Sequence, residues 1–457
     1  MTQRLTFRHV LTPEGMVNDC AVVVSSAGRI QALDVLDAAR GPLDYDGWLA
    51  LPGMPNAHSH AFQRAMSGFG EVPAGQDSFW SWRDHMYRLA SVVTPEQMRI
   101  IAEQAFAEML MGGFTRVAEF HYLHHLPDGS AGEEMARAVA EAADNVGIGL
   151  KLLPVYYRKG GFDREPGEGQ RRFVHRHLDD FLELLSKLKD LSPGIAPHSL
   201  RAVPPEELAD LVAGARGVLG PDIPIHIHVA EQRAEVSDCQ ARHGRSPVTV
   251  LADHVELDRH WNLVHATHAG PDELRRVTAA DARVVICPLT EAYLGDGLFP
   301  AAEFRRQGGS MAIGSDSNCR IDAVEELRLL EYGQRLRRER RLLLADERGI
   351  GQAMWSEMAV AGAAALGDHG YNGEAGGGAI QSGAFADLVV VDEDHPAVAG
   401  HGPDTAVDAL LIGGARGAVR DVYVAGHKQV SQGALPDSDA RRQAFAGVVK
   451  SIYGEEK

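Results

Sequence analysis

Positive charge is scarce in this chain. Its 45 Lys and Arg stand against 63 Asp and Glu, a net charge of -18 over 457 residues. That balance argues against a phosphate backbone or an anionic membrane as the main partner, so neither nucleic acid nor membrane is expected. Long apolar runs are missing too. None approaches 18 residues, and the first residues have no apolar signal core, so no membrane span or secretory leader is expected. Cysteine is rare: Cys20, Cys239, Cys287 and Cys319 lie far apart with no CxxC pair. This excludes a disulfide or zinc-finger framework and points to a reducing, cytoplasmic setting. The glycine-rich piece Gly373–Gly383 lacks the lysine and the strand-then-helix setting of a phosphate loop, and reads as a hinge.

What is present is enough apolar residue, 45%, for a large core. Residues 1–51 read as short strands (Arg4–Val10, Cys20–Ser25, Ile30–Val35) between turns. Residues 384–430 have the same texture, with strands expected at Ala386–Asp392, Ala409–Ile412 and Val419–Ala425. Two β-rich ends flanking a long middle suggest a small β-sandwich built from both termini, 1–51 and 382–457. Between them helical and strand-like segments alternate. Helices are expected at Pro95–Met111, Gly132–Val146, Phe173–Leu188 and Pro205–Leu219. Strands are expected at Thr115–Phe120, Gly149–Tyr156, Ile195–Ala196, Ile225–Val229, Asn262–Ala266, Arg283–Cys287 and Met311–Ile313. With the strand into His58 these make eight. The expected fold is therefore α/β, a (β/α)8 TIM-type barrel over 52–381, whose chemistry belongs at the C-terminal strand ends.

Ionisable residues do collect at those ends. His58 and His60 are two apart in Pro52-Gly53-Met54-Pro55-Asn56-Ala57-His58-Ser59-His60, so both project to one side of a strand. His226, His228 and Glu231 come at the fifth strand, His265 at the sixth and Asp316 at the eighth. His58, His60, His228 and Asp316 form an N3O set for one divalent metal, Zn²⁺ first, with Fe²⁺ and Mn²⁺ as alternatives. Alternation sends His226 and His228 to the same face, and the short run from His228 to Glu231 favours His228. A bound metal brings the pKa of its water to roughly 7. Asp316 could also accept that water's proton, Glu231 could shuttle it, and His265 could polarise the group under attack. These three are the candidate catalytic residues. Arg83 and Arg201 suit carboxylates, because a guanidinium fork binds them bidentately.

Pro-Gly-x-x-x-x-His-x-His, the His-x-His-x-Ala-Glu run at 226–231, Val264-His265-Ala266 and Gly314-Ser315-Asp316 resemble the amidohydrolase superfamily, in its mononuclear deaminase branch. No lysine stands at Val155-Tyr156-Tyr157, which speaks against the two-metal variants bridged by a carbamylated lysine. Within the superfamily, several stretches resemble the formimidoylglutamate deiminase family of histidine degradation. They are His60–Ala65, Phe79-Trp80-Ser81-Trp82-Arg83, Pro197–Val203, and Ser315–Asn318 leading into Val324–Arg328. The resemblance implies a small acidic substrate, N-formimidoyl-L-glutamate, hydrolysed to N-formyl-L-glutamate and ammonia. It carries substrate contacts to Gln63, Arg83, Tyr122, His198 and Arg201, with Arg88 an alternative to Arg83, and Asn318 and Arg320 placed near the site. A homodimer is expected. The segment Phe69–Val93 is read as a lid or a subunit contact. The rivals are an aminopurine deaminase, a chlorinated-triazine hydrolase and, from another class, a non-catalytic metal-binding scaffold.

Overall fold

The computed structural model describes residues 2–37, 42–71, 79–368 and 376–454, apart from the side chains of 79–81. Four strands open the chain: β1 (Gln3–Thr12), β2 (Gly15–Val24), β3 (Ile30–Val35) and β4 (Gly47–Pro52). Eight follow in alternation with helices: β5 (Met54–Ser59), β6 (Phe114–His121), β7 (Gly149–Tyr156), β8 (Ala196–Pro197), β9 (Ile225–Val229), β10 (Trp261–His265), β11 (Arg283–Ile286) and β12 (Ser310–Ile313). Three more return to the first group: β13 (Leu388–Val391), β14 (Val419–Val424) and β15 (His427–Val430).

The middle strands form two parallel arcs, β5-β6-β7-β8 and β12-β11-β10-β9. Bridges Ile195–Ile225 and Ser199–His228 join β8 to β9, and the bridge Ser59–Asp316 joins the ends of β5 and β12. Asn56 reinforces the second seam, since its Nδ2 donates to Ser315 Oγ at 2.6 Å and its Oδ1 accepts from Ser315 N at 3.0 Å. The arcs therefore close into the expected eight-stranded barrel. Full burial of β5, β9, β10 and β11 explains their apolar content, because helices cover a parallel sheet from outside.

The terminal strands pair in one seven-stranded sheet, β15-β14-β13-β4-β1-β2-β3. Its two faces enter two cores. Phe7, Val22, Ala50, Leu388, Val390 and Tyr423 pack with one another, while Leu49, Leu51, Val389 and Val422 join the barrel's core. The sheet folds over its inner face, because Ile30 N donates to Ala384 O and Ala386 N to Gly28 O, both at 2.8 Å. One sheet thus does the work expected of a sandwich.

Two local expectations need correction. Ala409–Ile412, expected as a strand, lies in the helix Pro403–Gly413. Pro403 sits at its first turn, and Ala406, Val407, Leu410 and Leu411 are its buried residues, which is helical spacing. The helix expected from Phe173 starts at Leu178, because Phe173 is committed to packing on Tyr122 in the cleft wall and His175 to packing on His124 beside it. Of the expected hinge, 373–375 lie outside the described residues. The rest is tied to the terminal sheet, with Gly383 N donating to Ile30 O at 2.8 Å. No helix among the described residues is long and apolar enough to cross a membrane.

Candidate active site

The C-terminal ends of β5, β9 and β12 bring four donors together. His58 Nε2 lies 3.2 Å from His60 Nε2 and 3.1 Å from His228 Nε2. Asp316 Oδ1 stands 3.5 Å from His58 Nε2 and 3.3 Å from His60 Nε2. All four ligand atoms fall within 4.8 Å of one another, and all four residues are buried. Backbone contacts fix the loops that carry them: Ser315 N and Asp316 N both donate to His58 O at 3.0 Å, and His60 N to Asp316 O at 2.9 Å. Gly314 is required there, since a Cβ would meet His58 O at 2.8 Å.

The imidazoles are oriented as metal ligands. His60 Nδ1 bonds to Phe120 O at 3.0 Å and His228 Nδ1 to His198 O at 3.1 Å, so each Nδ1 carries the proton and Nε2 offers its lone pair. Burial opposes protonation of these rings. It lowers His58 to about 3, drives His228 well below the usual value and lowers His60. Asp316 also shifts downward, which keeps it charged: despite burial, the neighbouring histidines hold its carboxyl below the ordinary range. Three neutral nitrogens and one carboxylate oxygen, facing one another with nothing else to bond, fit a single divalent metal.

His265 lies behind Asp316. Its register neighbour in β10, Val264, pairs with His228, so alternation alone would turn His265 away from the ligand face. The strand ends instead in left-handed backbone, φ 68° at His265 and 48° at Ala266. The ring's Nε2 reaches 3.6 Å from Asp316 Oδ2 and 3.9 Å from Glu231 Oε1. Burial disfavours charge on this ring, but Glu291, Glu231 and Asp316 outweigh it and raise its pKa to about 10. Ala230, Asp316 and Asn318 also have positive φ. Such backbone costs on the order of 1–3 kcal/mol per residue and collects at functional sites.

Above the donors opens a cleft lined by His60, His228, Glu231 and Asp316 together with Gln63, Arg83, Tyr122, His198 and Arg201. All five expected substrate contacts therefore face one space. Gln63 Nε2 donates to Tyr122 Oη at 2.7 Å, and Gln63 Oε1 is buried with no partner among the described residues. Arg201 Nη2 donates to Glu231 Oε2 at 3.1 Å, so one expected carboxylate binder already holds the expected proton shuttle. Of the stretch read as a lid, 72–78 lie outside the described residues. The helix Phe79–Val92 supplies Trp82, Arg83, Met86 and Tyr87 to the cleft wall.

Other candidates settle elsewhere. His226 Nε2 bonds to Ala365 O at 2.8 Å and takes no part in the donor set. Arg88 bonds to His85 at 2.6 Å and does not line the cleft. Asn318 lies under the donors, with Nδ2 donating to Ser59 Oγ at 3.1 Å. Arg320, expected near the site, is exposed and paired with Glu325, because the chain has already left the barrel mouth for the helix Ala323–Arg338. The residue missed entirely is Glu291, whose Oε1 lies 3.2 Å from His265 Nδ1 and accepts from Cys287 N at 3.0 Å. Only the fold brings it to His265; nothing in its local sequence marks it.

A closed (β/α)8 barrel with an HxH strand, a third histidine and an aspartate at its C-terminal mouth defines a metal-dependent hydrolase. The amidohydrolase family profile matches residues 49–427, and the chain belongs to that family. It is 42% identical over 455 residues to a formimidoylglutamate deiminase of Pseudomonas aeruginosa, covering 97% of this chain and 98% of that protein. It is 29% identical to a 5-methylthioadenosine/S-adenosylhomocysteine deaminase of Halobacterium salinarum, covering 86% and 85% of the two chains. Among solved structures, an amidohydrolase from Brucella melitensis superposes with a TM-score of 0.90 at 40% identity, over 98% of this chain and 99% of that one.

Proposed function

We propose that the chain is a mononuclear deiminase that hydrolyses N-formimidoyl-L-glutamate to N-formyl-L-glutamate and ammonia, a step of histidine breakdown. The observation that carries this reading is the presence of Arg83 and Arg201 in the same cleft as the four metal donors. Two guanidinium groups favour a substrate with carboxylates at one end, and the donors await the reacting carbon at the other. The end-to-end similarity to the Pseudomonas protein, and what that protein is named for, support the same choice. Free thiols at all four cysteines suit a reducing, cytoplasmic setting.

His58, His60, His228 and Asp316 would hold the metal, taken as Zn²⁺ from the N3O set. When bound, the ion supplies a Lewis acid that activates water near neutral pH. Asp316 Oδ2 takes a proton from the attacking water. Glu231 delivers a proton to the imino nitrogen as the new C–O bond forms, and His265 steadies the charge that develops between the two carboxylates. The intermediate's hydroxyl then returns its proton to Glu231 as the C=O bond forms, the proton held on Asp316 passes to the same nitrogen, and the C–N bond breaks to release ammonia and leave the formyl group, with both carboxylates back in their starting states. Arg201 orients Glu231 through its 3.1 Å contact, and Gln63 Oε1 offers an acceptor for a substrate N–H. Clamping the distant carboxylates fixes the formimidoyl carbon over the donors.

An ammonia-release assay tests the reading. Purified protein should release ammonia from N-formimidoyl-L-glutamate and not from guanine or S-adenosylhomocysteine, lose the activity to a chelator and regain it with Zn²⁺. Release from a purine alone would overturn the substrate assignment, and full turnover after metal removal would overturn the metal's role.

A further inference from the structure

Beside the four-donor cluster lies a second group of potential ligands. His265, Cys287 and Asp316 are all buried, and one ligand atom of each falls within 4.8 Å of the others. We infer that this trio is a second, thiolate-bearing metal position that shares Asp316 with the first, and that its occupancy by a soft divalent ion shuts the enzyme down.

Three observations point there. Asp316 divides its oxygens, with Oδ1 toward His58 and His60 and Oδ2 at 3.6 Å from His265 Nε2. Donors around one tetrahedral ion, with metal bonds of about 2.0–2.3 Å, stand roughly 3.3–3.7 Å apart, so this pair is already at ligand spacing. His265 Nε2 is fully buried and has no hydrogen-bond partner among the described residues. Its Nδ1 faces Glu291 Oε1 at 3.2 Å, the carboxylate–imidazole arrangement that fixes a histidine's tautomer and raises its strength as a ligand. The same Glu291 oxygen accepts from Cys287 N at 3.0 Å, which holds the thiol-bearing residue beside the ring.

The donor types set the ion's class. Sulfur, imidazole and carboxylate together suit Zn²⁺, Cd²⁺ or Co²⁺ rather than Mg²⁺ or Ca²⁺. Binding displaces the thiol proton and any proton on His265 Nε2 to solvent. It would draw Asp316 Oδ2 away from proton handling and His265 away from steadying the developing charge, which makes the position inhibitory. Entry is from the cleft, which Asp316 lines. The binding claim stands independently of which substrate the enzyme uses; only its inhibitory consequence rests on the roles proposed above for Asp316 and His265.

The test loads the apo-protein stepwise with Co²⁺ and reads bound metal together with the thiolate-to-cobalt charge-transfer band. Wild type should bind two equivalents, with the band arising only with the second, and a second equivalent of Cd²⁺ should lower turnover of formimidoylglutamate at least tenfold. Cys287→Ser should bind one equivalent, show no band and resist Cd²⁺, while Cys319→Ser should behave as wild type. Uptake of a single equivalent by wild type overturns the proposal, as does a band that persists in Cys287→Ser. The wild-type band alone decides the matter if that variant does not fold. Two equivalents and the band without loss of turnover would overturn the inhibitory role and leave the site itself standing.

Discussion

At the barrel mouth, His58, His60 and His228 turn their Nε2 atoms toward one another. Where the segments after β6 and β7 meet, His124 and His175 also lie ring against ring, 4.8 Å between centroids, with His125 5.8 Å from His175. Their nitrogens are wired the opposite way. His124 Nε2 is spent on Val155 O and His125 Nε2 on Val174 O, both at 2.8 Å, while the Nδ1 atoms of His124, His125 and His175 are buried without partners among the described residues. No carboxylate completes a ligand set there among the described residues. Each nest thus holds three histidines, all buried in the first, and two buried with one half-buried in the second. Carbonyls take up one nitrogen's proton in both; what separates them is convergence of the remaining lone pairs and a carboxylate among them. The first nest is a site with chemistry around it; the second is packing with a latent cost in acid.

If the carboxylates around the first nest make it reactive, removing one charge should stop turnover without emptying the site. Glu231→Gln is expected to lower kcat by about 10²–10⁴-fold, the usual contribution of a positioned proton donor, with metal content unchanged. Steady-state kinetics beside metal analysis checks it. Full turnover would break the contrast, since the ligand nest would then act without its surroundings.

Arg201 sharpens the same point at smaller scale. It faces the cleft and holds Glu231, so Arg201→Ala removes a charged contact worth about 1.5–3 kcal/mol, or roughly 10–150-fold in kcat/KM. The loss should be divided between a higher KM for the acidic substrate and a lower kcat. Arg320→Ala, an exposed residue paired with Glu325, should change neither. Equal kinetics for the two variants would remove Arg201 from the site.

Much of this architecture was legible because its signals are local. Pro95–Met111 begins and ends where the sequence places it, since Thr94 and Gln97 form a reciprocal cap and Gly112 ends the helix. Strands β7 and β9 also match to the residue, and the HxH spacing alone puts two candidate ligands on one face. Other features depend on distant partners. Pro403–Gly413 has a strand's composition and a helix's burial period. Glu291 matters only because β10 and β11 are neighbours. Arg201 reads as a carboxylate binder from its type, and only the fold shows that Glu231 claims part of it. The two histidine nests are the sharpest case: residue type is common to both, and nitrogen direction, which the chain does not spell out, decides between them.

The second nest makes a prediction about stability rather than turnover. Burial holds His175 at about 3, with the nearby His125 adding to the effect. Its folded value thus lies below the ordinary 6.5. Between those limits the unfolded chain binds a proton that the folded chain refuses, so stability is complete above pH 6.5 and falls as pH drops toward 3. The slope is about 1.4 kcal/mol per pH unit for each such histidine. His175→Phe keeps a ring of similar size against Tyr156 and Phe181 and removes the titrating group. Urea unfolding of the metal-loaded protein at pH 7 and pH 5 should show the variant losing roughly 2 kcal/mol less than wild type over that interval, in proportion to the 1.5 units of the interval that lie below pH 6.5. Turnover at pH 7 should be unchanged. An unchanged acid slope would mean that the second nest relieves its protons by opening, and one contrast between the nests, closed packing against a working site, would fail.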